Sequence, residues 1–319
     1  MTAPQPKKSE ADELSRAALQ AFDNLNGGQH AGYRPAHAKG VLLTGTFTPA
    51  PQAKELSRAP HLQVPFLRVA ARFSDFAGIP SVADTDMENA SPRGLAIRFY
   101  LSQHAHTDII AHSVDGFPTR TAEEFVELLR AAYSSGPGVP KPTPVEQFLG
   151  THPAALAFIQ APKPIPSSFV KESYFAVSAY QFTNASGTSR FGRYRIVPES
   201  GTEYLSEASL AAKAPNFLFE ELQDRLTRGP ARMRIEVQLA GEGDTVDDST
   251  IHWPKDRPVL PFGTIDLQGI APESEVVQRQ IIFDPIPRMD GIAPSGDPLL
   301  DPRANLYLAS GRRRRSTGE

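Results

Sequence analysis

The sequence predicts an α+β protein in which an antiparallel β-barrel of about eight strands is surrounded by helices. Runs rich in β-branched and aromatic residues are separated by Pro, Gly and Asp turns, which is typical of strands joined by irregular connections. Helical stretches interrupt these runs instead of alternating with them, and that order disfavours a doubly wound sheet. No repeat and no Pro/Gly/Ser-rich linker divides the 319 residues, so we expect a single domain over residues 1–319.

The first part of the chain predicts one helix followed by four strands. Apolar residues recur at helical spacing over Ser9–Leu25, and Gly27 and Gly28 follow where that helix is expected to end. From Gly40 the composition changes to β-branched and aromatic runs. The four predicted strands are Gly40–Phe47, Val64–Phe73, Gly94–Tyr100 and Asp108–Ser113.

Two capping boxes predict where the next helices begin. Thr121 is followed three residues later by Glu124, and Thr143 is followed in the same way by Glu146. The proline directly after Thr143 suits the first position of a helix, where its missing N–H is not needed. Phe125 begins the apolar face of the first of these helices, which makes it a candidate core residue.

The second half of the chain returns to strands. The turn residues Asn-Ala-Ser-Gly at 184–187 lie between two strand-like runs and predict a hairpin. Strict alternation of polar and apolar residues over Arg232–Leu239 indicates a strand with one face in solvent. The predicted strands are Tyr174–Thr183, Arg190–Val197, Arg232–Leu239, Gly263–Leu267 and Glu275–Phe283, with a helix at Pro215–Leu226 and loops over 285–301.

Composition and motif content exclude several classes of function. Thirty-three basic and 36 acidic residues give a net charge of −3, which argues against a nucleic-acid coat or a polybasic membrane binder. Because the chain has no cysteine, disulfide scaffolds, cysteine-ligated metals and thiol nucleophiles are excluded. No apolar run has the length of a membrane span or forms a signal-peptide core, so we expect a cytoplasmic protein.

Three segments in order carry a specific resemblance. They read Arg-Pro-Ala-His-Ala-Lys-Gly at 34–40, Arg-Phe-Ser-Asp-Phe-Ala-Gly at 72–78 and Asp-Pro-Arg-Ala-Asn-Leu-Tyr at 301–307. Together they resemble the distal and proximal haem motifs of the catalase superfamily. The resemblance covers a core of about 31–314, preceded by a helical arm at 1–30. A typical catalase continues with a C-terminal helical extension that has no counterpart here, and this short form resembles the catalase-related (catalase-like) haem peroxidases.

The resemblance implies a haem b cofactor (iron protoporphyrin IX) with a tyrosine on one side and a histidine on the other. Tyr307 would be the proximal iron ligand, and Arg303, one helical turn earlier, would stabilise its phenolate. His37 would be the acid–base group that carries the peroxide proton, because the pKa of imidazole lies near neutrality. Ser74 would fix the tautomer of His37.

The resemblance also assigns residues to the edges and face of the haem. Guanidinium groups suit the geometry of carboxylates. Phe125 matches an aromatic residue that packs on the distal side, a role compatible with its place in the core of a helix. Expected partners of the propionates are Arg34, Arg72 and one member of the C-terminal basic run, either Arg312 or Arg314.

The sequence departs from the catalase pattern at three points. His112 stands where typical catalases have an asparagine that orients hydrogen peroxide, and it either adds a polar group to the pocket or points away. A family histidine near the propionates falls on Ser178, which implies one weaker propionate contact. Without the C-terminal extension the haem channel is expected to be shorter or wider, and bulkier peroxides or electron donors would then reach the haem.

These features predict a haem peroxidase that reduces hydrogen peroxide or organic hydroperoxides through a ferryl intermediate, with a reducing co-substrate and weak or no catalase activity. Three alternatives stay open: a true catalase, a hydroperoxide-rearranging lyase similar to allene oxide synthase, and a non-catalytic haem carrier or sensor. The presence of His37 disfavours the carrier, which needs no proton shuttle. Family analogy implies a homo-oligomer such as a dimer, with no nucleic-acid or membrane partner.

Overall fold

The computed structural model describes residues 8–316 of the chain, and a single antiparallel sheet forms its centre. The strands are β1 (Gly40–Pro49), β2 (Leu67–Ser74), β3 (Gly94–Tyr100), β4 (His106–His112), β5 (Tyr174–Phe175), β6 (Tyr180–Thr183), β7 (Ser189–Pro198), β8 (Ala231–Leu239), β9 (Val259–Ile270) and β10 (Ile292–Pro294). The helices are α1 (Lys8–Leu25), α2 (Ala53–Leu56), α3 (Ala122–Tyr133), α4 (Pro144–Thr151), α5 (Pro153–Gln160), α6 (Glu207–Ala211), α7 (Phe217–Arg228), α8 (Ser274–Gln280) and α9 (Leu300–Ser316). None of the helices in this part of the chain is long and apolar enough to cross a membrane.

The sheet closes on itself, which confirms the predicted barrel. In residues 8–316 the closed ring has eight strands in the order β7, β5, β4, β3, β2, β1, β9, β8, and β8 pairs back onto β7. Every pairing in the ring is antiparallel. Strand β6 pairs with β7 beside β5 and carries β10 on its outer edge. Closure pairs the strand edges that an open sheet would expose.

Alternation along the strands divides the barrel into a filled interior and an outer face. The side chains of Phe47, Phe73, Phe99 and Phe262 lie inside and are fully buried. Phe47 meets Phe99 edge to face, with 5.0 Å between ring centroids. Each buried phenylalanine contributes roughly 1.5–3 kcal/mol of hydrophobic stabilisation, so the interior is a packed core and leaves ligand binding to the outer face.

Three helices form a layer over the outer face of β2 to β5. Helices α1 and α3 share an apolar cluster built from Ala18, Phe22, Val126 and Leu129. Helix α9 packs against α1, and an ion pair of 2.6 Å between Arg313 and Asp23 joins them. The barrel and this helical layer enclose the space in which the predicted site residues lie.

Both predicted capping boxes are present. Thr121 Oγ1 accepts a hydrogen bond from the backbone N–H of Glu124 at 3.2 Å, and the Glu124 carboxylate accepts from the backbone N–H of Thr121. The Thr143 and Glu146 pair repeats the arrangement at the start of α4, with proline at the first helical position. These local signals set the starts of α3 and α4 because they satisfy N–H groups that the helix itself leaves unpaired.

The predicted strand at Glu275–Phe283 is wrong. Residues 275–280 of this segment belong to the helix α8, and residues 281–283 are irregular backbone. The pair Val276 and Val277 indicated a strand, yet both side chains are exposed on α8. Ser274 Oγ accepts a hydrogen bond from the Leu42 N–H at 2.9 Å, which attaches the start of this helix to β1.

Other strand predictions differ from the structure in their limits. The run predicted as Tyr174–Thr183 is two strands, β5 and β6, which pair with different parts of β7. The run predicted as Gly263–Leu267 is longer, Val259–Ile270, because β9 pairs with β1 on one side and β8 on the other. Strand β2 begins at Leu67, three residues later than predicted, after the turn that contains Pro65.

Candidate active site

A cavity of about 790 Å³ lies between the outer face of β2 to β5 and the helices α1, α3 and α9. Its volume falls in the range typical of small-molecule sites. Much of its wall is apolar and comes from α1 and α3, including Leu14, Ala18, Phe22, Phe125, Leu128 and Leu129. The polar side chains that line it include His37, Ser74, His112, Arg34, Arg72, Arg303, Tyr307 and Arg314. The cavity therefore gathers nine of the ten predicted site residues.

His37 is held in an uncommon backbone conformation next to the sheet. Its φ of +57° is in the left-handed region, where residues other than glycine are uncommon, and its N–H donates to the Phe76 carbonyl at 2.6 Å. The ring Nδ1 lies 3.1 Å from Ser74 Oγ. A Cβ at Gly94 would lie only 2.7 Å from the same Nδ1. The ring therefore occupies space that exists because residue 94 is a glycine.

The surroundings keep the His37 imidazole neutral. Burial, followed by the charges of Arg72, His112 and Arg34, lowers its pKa to about 3. A hydrogen bond to the Asp75 backbone acts in the opposite direction, because donation from the ring favours the protonated form. A neutral imidazole has one nitrogen with a free lone pair, as a proton acceptor requires.

His112 lies at the cavity and does not point away from it. It is the last residue of β4, and its ring is near Phe117 and Phe158, with centroid distances of 6.5 and 6.2 Å. The backbone N–H of Val114 donates to Nδ1 at 3.3 Å. Burial and then the charge of Arg303 lower the pKa of His112 to about 3. The departure from the catalase pattern at this position therefore adds a polar group to the pocket.

Tyr307 and Arg303 are adjacent on the face of α9 that meets the cavity. Arg303 Nη2 lies 3.4 Å from Tyr307 Oη. Ser310 and Arg314 continue this face at the positions that helical geometry predicts, three and seven residues beyond Tyr307. A guanidinium beside the phenol stabilises the deprotonated form that binds a metal ion.

A chain of hydrogen bonds behind Arg303 was not predicted. Arg303 Nη1 is 3.5 Å from Ser178 Oγ, which is 3.3 Å from Ser249 Oγ, and Ser249 donates to the carboxylate of Asp297. All three partners are buried. Ser178 therefore contacts the arginine beside Tyr307, and the weaker propionate contact expected at this position stays a prediction. The partners are far apart in sequence and share no motif, so only the fold brings them together.

Two buried arginines, Arg72 and Arg314, and the half-buried Arg34 gather at one end of the cavity. Arg72 donates to the His37 carbonyl at 3.0 Å, and both Arg34 and Arg314 donate to the carbonyl of Ile281. Burial, together with the charge of Arg314, lowers the pKa of Arg72 to about 9. Burial and neighbouring arginines lower the pKa of Arg314 to about 10. Within residues 8–316, neither Arg34 nor Arg72 forms an ion pair with a carboxylate side chain, so this end of the cavity suits an anion.

The structure does not bring Arg312 to the cavity. Arg312 is exposed, whereas Arg314 is buried at the cavity wall. The reason is helical geometry: positions two residues apart on a helix differ by about 200° around its axis, so Arg312 and Arg314 face opposite sides.

Phe125 does line the cavity, and its ring also packs against Phe22 and Phe117 with centroid distances of 6.0 and 5.1 Å. Phe125 therefore lies both in the apolar core between the helices and at the cavity wall, and the sequence predicts both of these positions.

The donor set fits a haem group. A phenol backed by a guanidinium can bind ferric iron, the apolar wall can cover a macrocycle, and the three arginines can neutralise two carboxylates. Burial and the charge of Arg314 lower the pKa of Arg72, so an anion bound at this end of the cavity would stabilise its charged form. The cavity, with His37 and Tyr307 both in its lining, therefore has the composition of a haem-binding site.

Comparison with known proteins identifies the family. The model of the catalase family matches residues 19–318. The chain is 36% identical over 298 residues to a catalase-related peroxidase of Mycolicibacterium paratuberculosis, a match that covers 91% of this chain and 92% of that protein. It is 32% identical over 287 residues to a catalase-related peroxidase of Synechococcus elongatus, covering 89% and 84%. The chain belongs to the catalase family, and this membership implies a haem cofactor.

The longer catalases match over part of their length. Catalase-2 of Bacillus subtilis is 27% identical over 296 residues, which cover 86% of this chain and 42% of that protein. The crystal structure of a fungal catalase has the same fold, with a TM-score of 0.78 at 21% identity, and the match covers 98% of this chain and 64% of the catalase. The chain thus has about the length of the catalase-related peroxidases, whereas these catalases are considerably longer.

Proposed function

We propose that this protein is a haem b peroxidase that reduces hydrogen peroxide or organic hydroperoxides with electrons from a reducing co-substrate. One observation carries the proposal: a single cavity is lined by His37 with its Ser74 contact and by Tyr307 with its Arg303 contact. It is supported by two relatives of nearly the same length, both of which are named catalase-related peroxidases.

Residues of α9 and of the arginine cluster would hold the cofactor. Tyr307 Oη would bind the iron as a phenolate, and Arg303, 3.4 Å away, would stabilise that negative charge. Arg34, Arg72 and Arg314 would bind the propionates, since guanidinium and carboxylate groups pair in a planar geometry. When bound, haem supplies an iron that binds peroxide and exchanges electrons with it.

His37 would carry the proton that a peroxide must relocate before its O–O bond breaks. Because its pKa lies far below 7, the imidazole is neutral at neutral pH and accepts the proton at Nε2. Ser74 Oγ, 3.1 Å from Nδ1, holds the ring in place. The ring then returns the proton to the departing oxygen, so the protein is left in its original protonation state.

The apolar wall supports organic hydroperoxides as substrates. Leu14, Phe22 and Leu128 line the cavity and can contact an alkyl group that hydrogen peroxide does not have. Burial of apolar area contributes roughly 25 cal/mol per Å², so a contact of this kind favours the larger substrate. Hydrogen peroxide gains nothing from such a wall. Because His112 replaces the asparagine that orients hydrogen peroxide in typical catalases, we infer that catalase activity is weak or absent.

A holoprotein assay tests the proposed function. The protein purified with haem is mixed with cumene hydroperoxide or hydrogen peroxide, with and without a one-electron donor such as guaiacol. We expect donor oxidation with both peroxides and little oxygen from hydrogen peroxide alone. Rapid oxygen release would identify a true catalase, a rearranged product without donor would identify a lyase, and a spectrum unchanged by peroxide would identify a carrier. Each of these three results contradicts the proposal.

Substitution of Gly94 tests whether the packed His37 ring is needed. A Cβ at this position would lie 2.6 Å from Ser74 Oγ and 2.7 Å from His37 Nδ1, so Gly94→Ala has to displace the ring. We expect at least a tenfold lower rate of peroxide reduction, with a loss of stability of roughly 1–3 kcal/mol from overpacking. Gly269→Ala is the control, because a Cβ there meets nothing within 4 Å. Equal rates for the two variants would contradict the placement of His37 in catalysis.

Paired substitutions on α9 test the propionate contacts. Arg314→Met removes a buried charge at the cavity, whereas Arg312→Met removes an exposed one two residues away. Hydrogen bonds to charged groups contribute about 1.5–3 kcal/mol, so Arg314→Met is expected to weaken haem binding by roughly tenfold to a hundredfold. The measurement is titration of apoprotein with haemin. The same affinity in both variants would show that Arg314 has no part in binding the cofactor.

A further inference from the structure

Two short segments beside the cavity, residues 37–39 and 75–77, hold each other through their backbones. They extend the pairing of β1 with β2, and three hydrogen bonds join them, one from the His37 N–H to the Phe76 carbonyl at 2.6 Å. His37 has a φ of +57°, which residues other than glycine keep only where the surrounding structure enforces it. The segment 75–77 therefore has to stay in place if the His37 ring is to stay in the cavity wall.

Behind the two segments lies a group of four charged residues, which we call the ionic cluster. Lys39 belongs to the first segment and Asp75 to the second, while Asp84 and Arg93 lie further along the connection between β2 and β3. Asp75 and Asp84 are fully buried, and Arg93 is 1% exposed. Arg93 forms an ion pair with Asp75, and Lys39 Nζ lies 2.5 Å from Asp84 Oδ1. Each segment is thus attached to the ionic cluster by a charged side chain.

Within the ionic cluster, Asp75 depends on Arg93. One carboxylate oxygen of Asp75 receives the Arg93 guanidinium, and the other has no hydrogen-bond partner among residues 8–316 and lies 3.8 Å from Lys39 Nζ. Burial raises the pKa of Asp75, and among its neighbours Arg93 lowers it most. Removal of one partner from a buried ion pair leaves a charge without compensation. Without Arg93, we expect the segment 75–77 to shift until Asp75 reaches water or another donor.

The residue after Arg93 is the glycine over which the His37 ring lies. A Cβ at Gly94 would be 2.7 Å from His37 Nδ1, so the backbone at this point forms the floor under the ring. The Arg93 N–H donates to Ser113 Oγ at 2.9 Å, which fixes this backbone against the residue that follows β4. Arg93 therefore contacts the surroundings of the ring twice, through the backbone beneath the ring and through Asp75 beside it.

We propose that the ion pair between Arg93 and Asp75 positions His37 for proton transfer, by holding the segment to which the His37 backbone is bound. This inference rests on the proposed function and adds two positioning residues to that site. Neither Arg93 nor Asp75 is among the residues that line the cavity, so neither side chain touches the peroxide. They act through His37, and no bond or proton of the reaction is exchanged with them.

A second buried ion pair, close to Arg93 in the chain, provides the control. Arg98 on β3 pairs with Asp108 on β4 at 2.7 Å, and the two residues are 9% and 6% exposed. Loss of Arg98 also leaves a buried carboxylate, so Arg98→Met and Arg93→Met are expected to lose similar amounts of stability. Because Arg98 and Asp108 lie outside both segments, Arg98→Met leaves the backbone hydrogen bonds of His37 in place.

The test uses the holoproteins of Arg93→Met, Asp75→Asn, the double variant and the Arg98→Met control. The first readout is the rate at which cyanide binds to the ferric protein, because hydrogen cyanide has to give its proton to a base as the anion binds. The second readout is the pH profile of tert-butyl hydroperoxide reduction. Thermal unfolding measures the loss of stability of each variant separately.

We expect Arg93→Met to bind cyanide at least about tenfold more slowly than wild type at pH 7, since a displaced imidazole accepts the proton less readily. Its rate of peroxide reduction is expected to fall with a midpoint near pH 6.5, because water that reaches the ring restores the ordinary pKa of about 6.5 in place of about 3. The double variant is expected to match Arg93→Met, because residues that act as one unit do not have additive effects. Arg98→Met is expected to lose stability and to keep both wild-type readouts.

Equal cyanide rates and pH profiles in Arg93→Met and Arg98→Met would overturn the inference, since the ion pair would then contribute to stability alone. Losses that add in the double variant would overturn it as well, because Arg93 would not act through Asp75. If Arg93→Met fails to fold, the double variant takes its place in the comparison, since it has no unpaired charge from this ion pair. A wild-type protein that does not reduce peroxide would refute the proposed function, whereas the cyanide rate tests the placement of His37 without turnover.

Discussion

Replacement of Tyr307, the proposed iron ligand, by phenylalanine is expected to remove nearly all activity of this protein. The substitution removes one oxygen atom and keeps the ring, so the packing of α9 against the cavity is preserved. We expect the spectrum of tyrosinate-bound ferric haem to disappear and peroxide reduction to fall about a thousandfold, which corresponds to about 4 kcal/mol at 1.4 kcal/mol per factor of ten. Absorption spectroscopy and a haemin titration measure the first effect, and the donor assay measures the second.

The contact with Arg303 explains why no other group is expected to replace Tyr307. Arg303 Nη2 is 3.4 Å from the phenol oxygen, and without that oxygen a half-buried cation would face the proposed metal site. A cation cannot bind iron, and it disfavours the approach of a second positive charge. Tyr133→Phe is a suitable control, because Tyr133 is 55% exposed at the end of α3. An unchanged spectrum in Tyr307→Phe would exclude Tyr307 as the ligand.

Most of the barrel could be predicted from the sequence, because its strands have one face in a packed interior. Burial on one side produces the period of two that identifies Arg232–Leu239 as a strand. The prediction of a strand at Glu275–Phe283 failed because the helical part of this segment has no buried face. Val276 and Val277 are exposed, so their side chains carry no information about the element, and the contact from Leu42 to Ser274 holds the helix against β1.

The site divides in the same way into predictable and unpredictable parts. Arg303 and Tyr307 are four residues apart on one helix, so their contact follows from local geometry. The same reasoning, continued along α9, favours Arg314 over Arg312, since Arg314 follows Tyr307 by seven residues. The hydroxyl of Ser249 comes from the connection between β8 and β9, and the carboxylate of Asp297 comes from the connection between β10 and α9. Their meeting behind Arg303 depends on how the barrel closes, which no local pattern contains.

The role of His37 is best tested by a substitution that respects its backbone. His37 has a φ of +57°, and asparagine tolerates the left-handed region better than most residues. His37→Asn therefore removes the imidazole without adding backbone strain. General acid–base catalysis contributes about 10²–10⁴-fold, and we expect peroxide reduction to slow by that amount while haem binding stays near wild type. His30→Asn is the matched control in the same loop, where it loses only a contact to the Asn26 carbonyl.

The pH dependence separates a buried His37 from an exposed one. The pKa of His37 is lowered to about 3, so the neutral, proton-accepting form persists as the pH falls and is lost only near pH 3. An imidazole with its ordinary pKa of about 6.5 would lose half of its activity at pH 6.5. We therefore expect the rate of peroxide reduction in the wild-type protein to be constant between pH 8 and pH 5, wherever the fold is stable. If the rate of peroxide reduction fell with a midpoint near pH 6.5, the His37 ring would be accessible to water. That result would contradict the view that burial keeps His37 neutral and able to accept a proton.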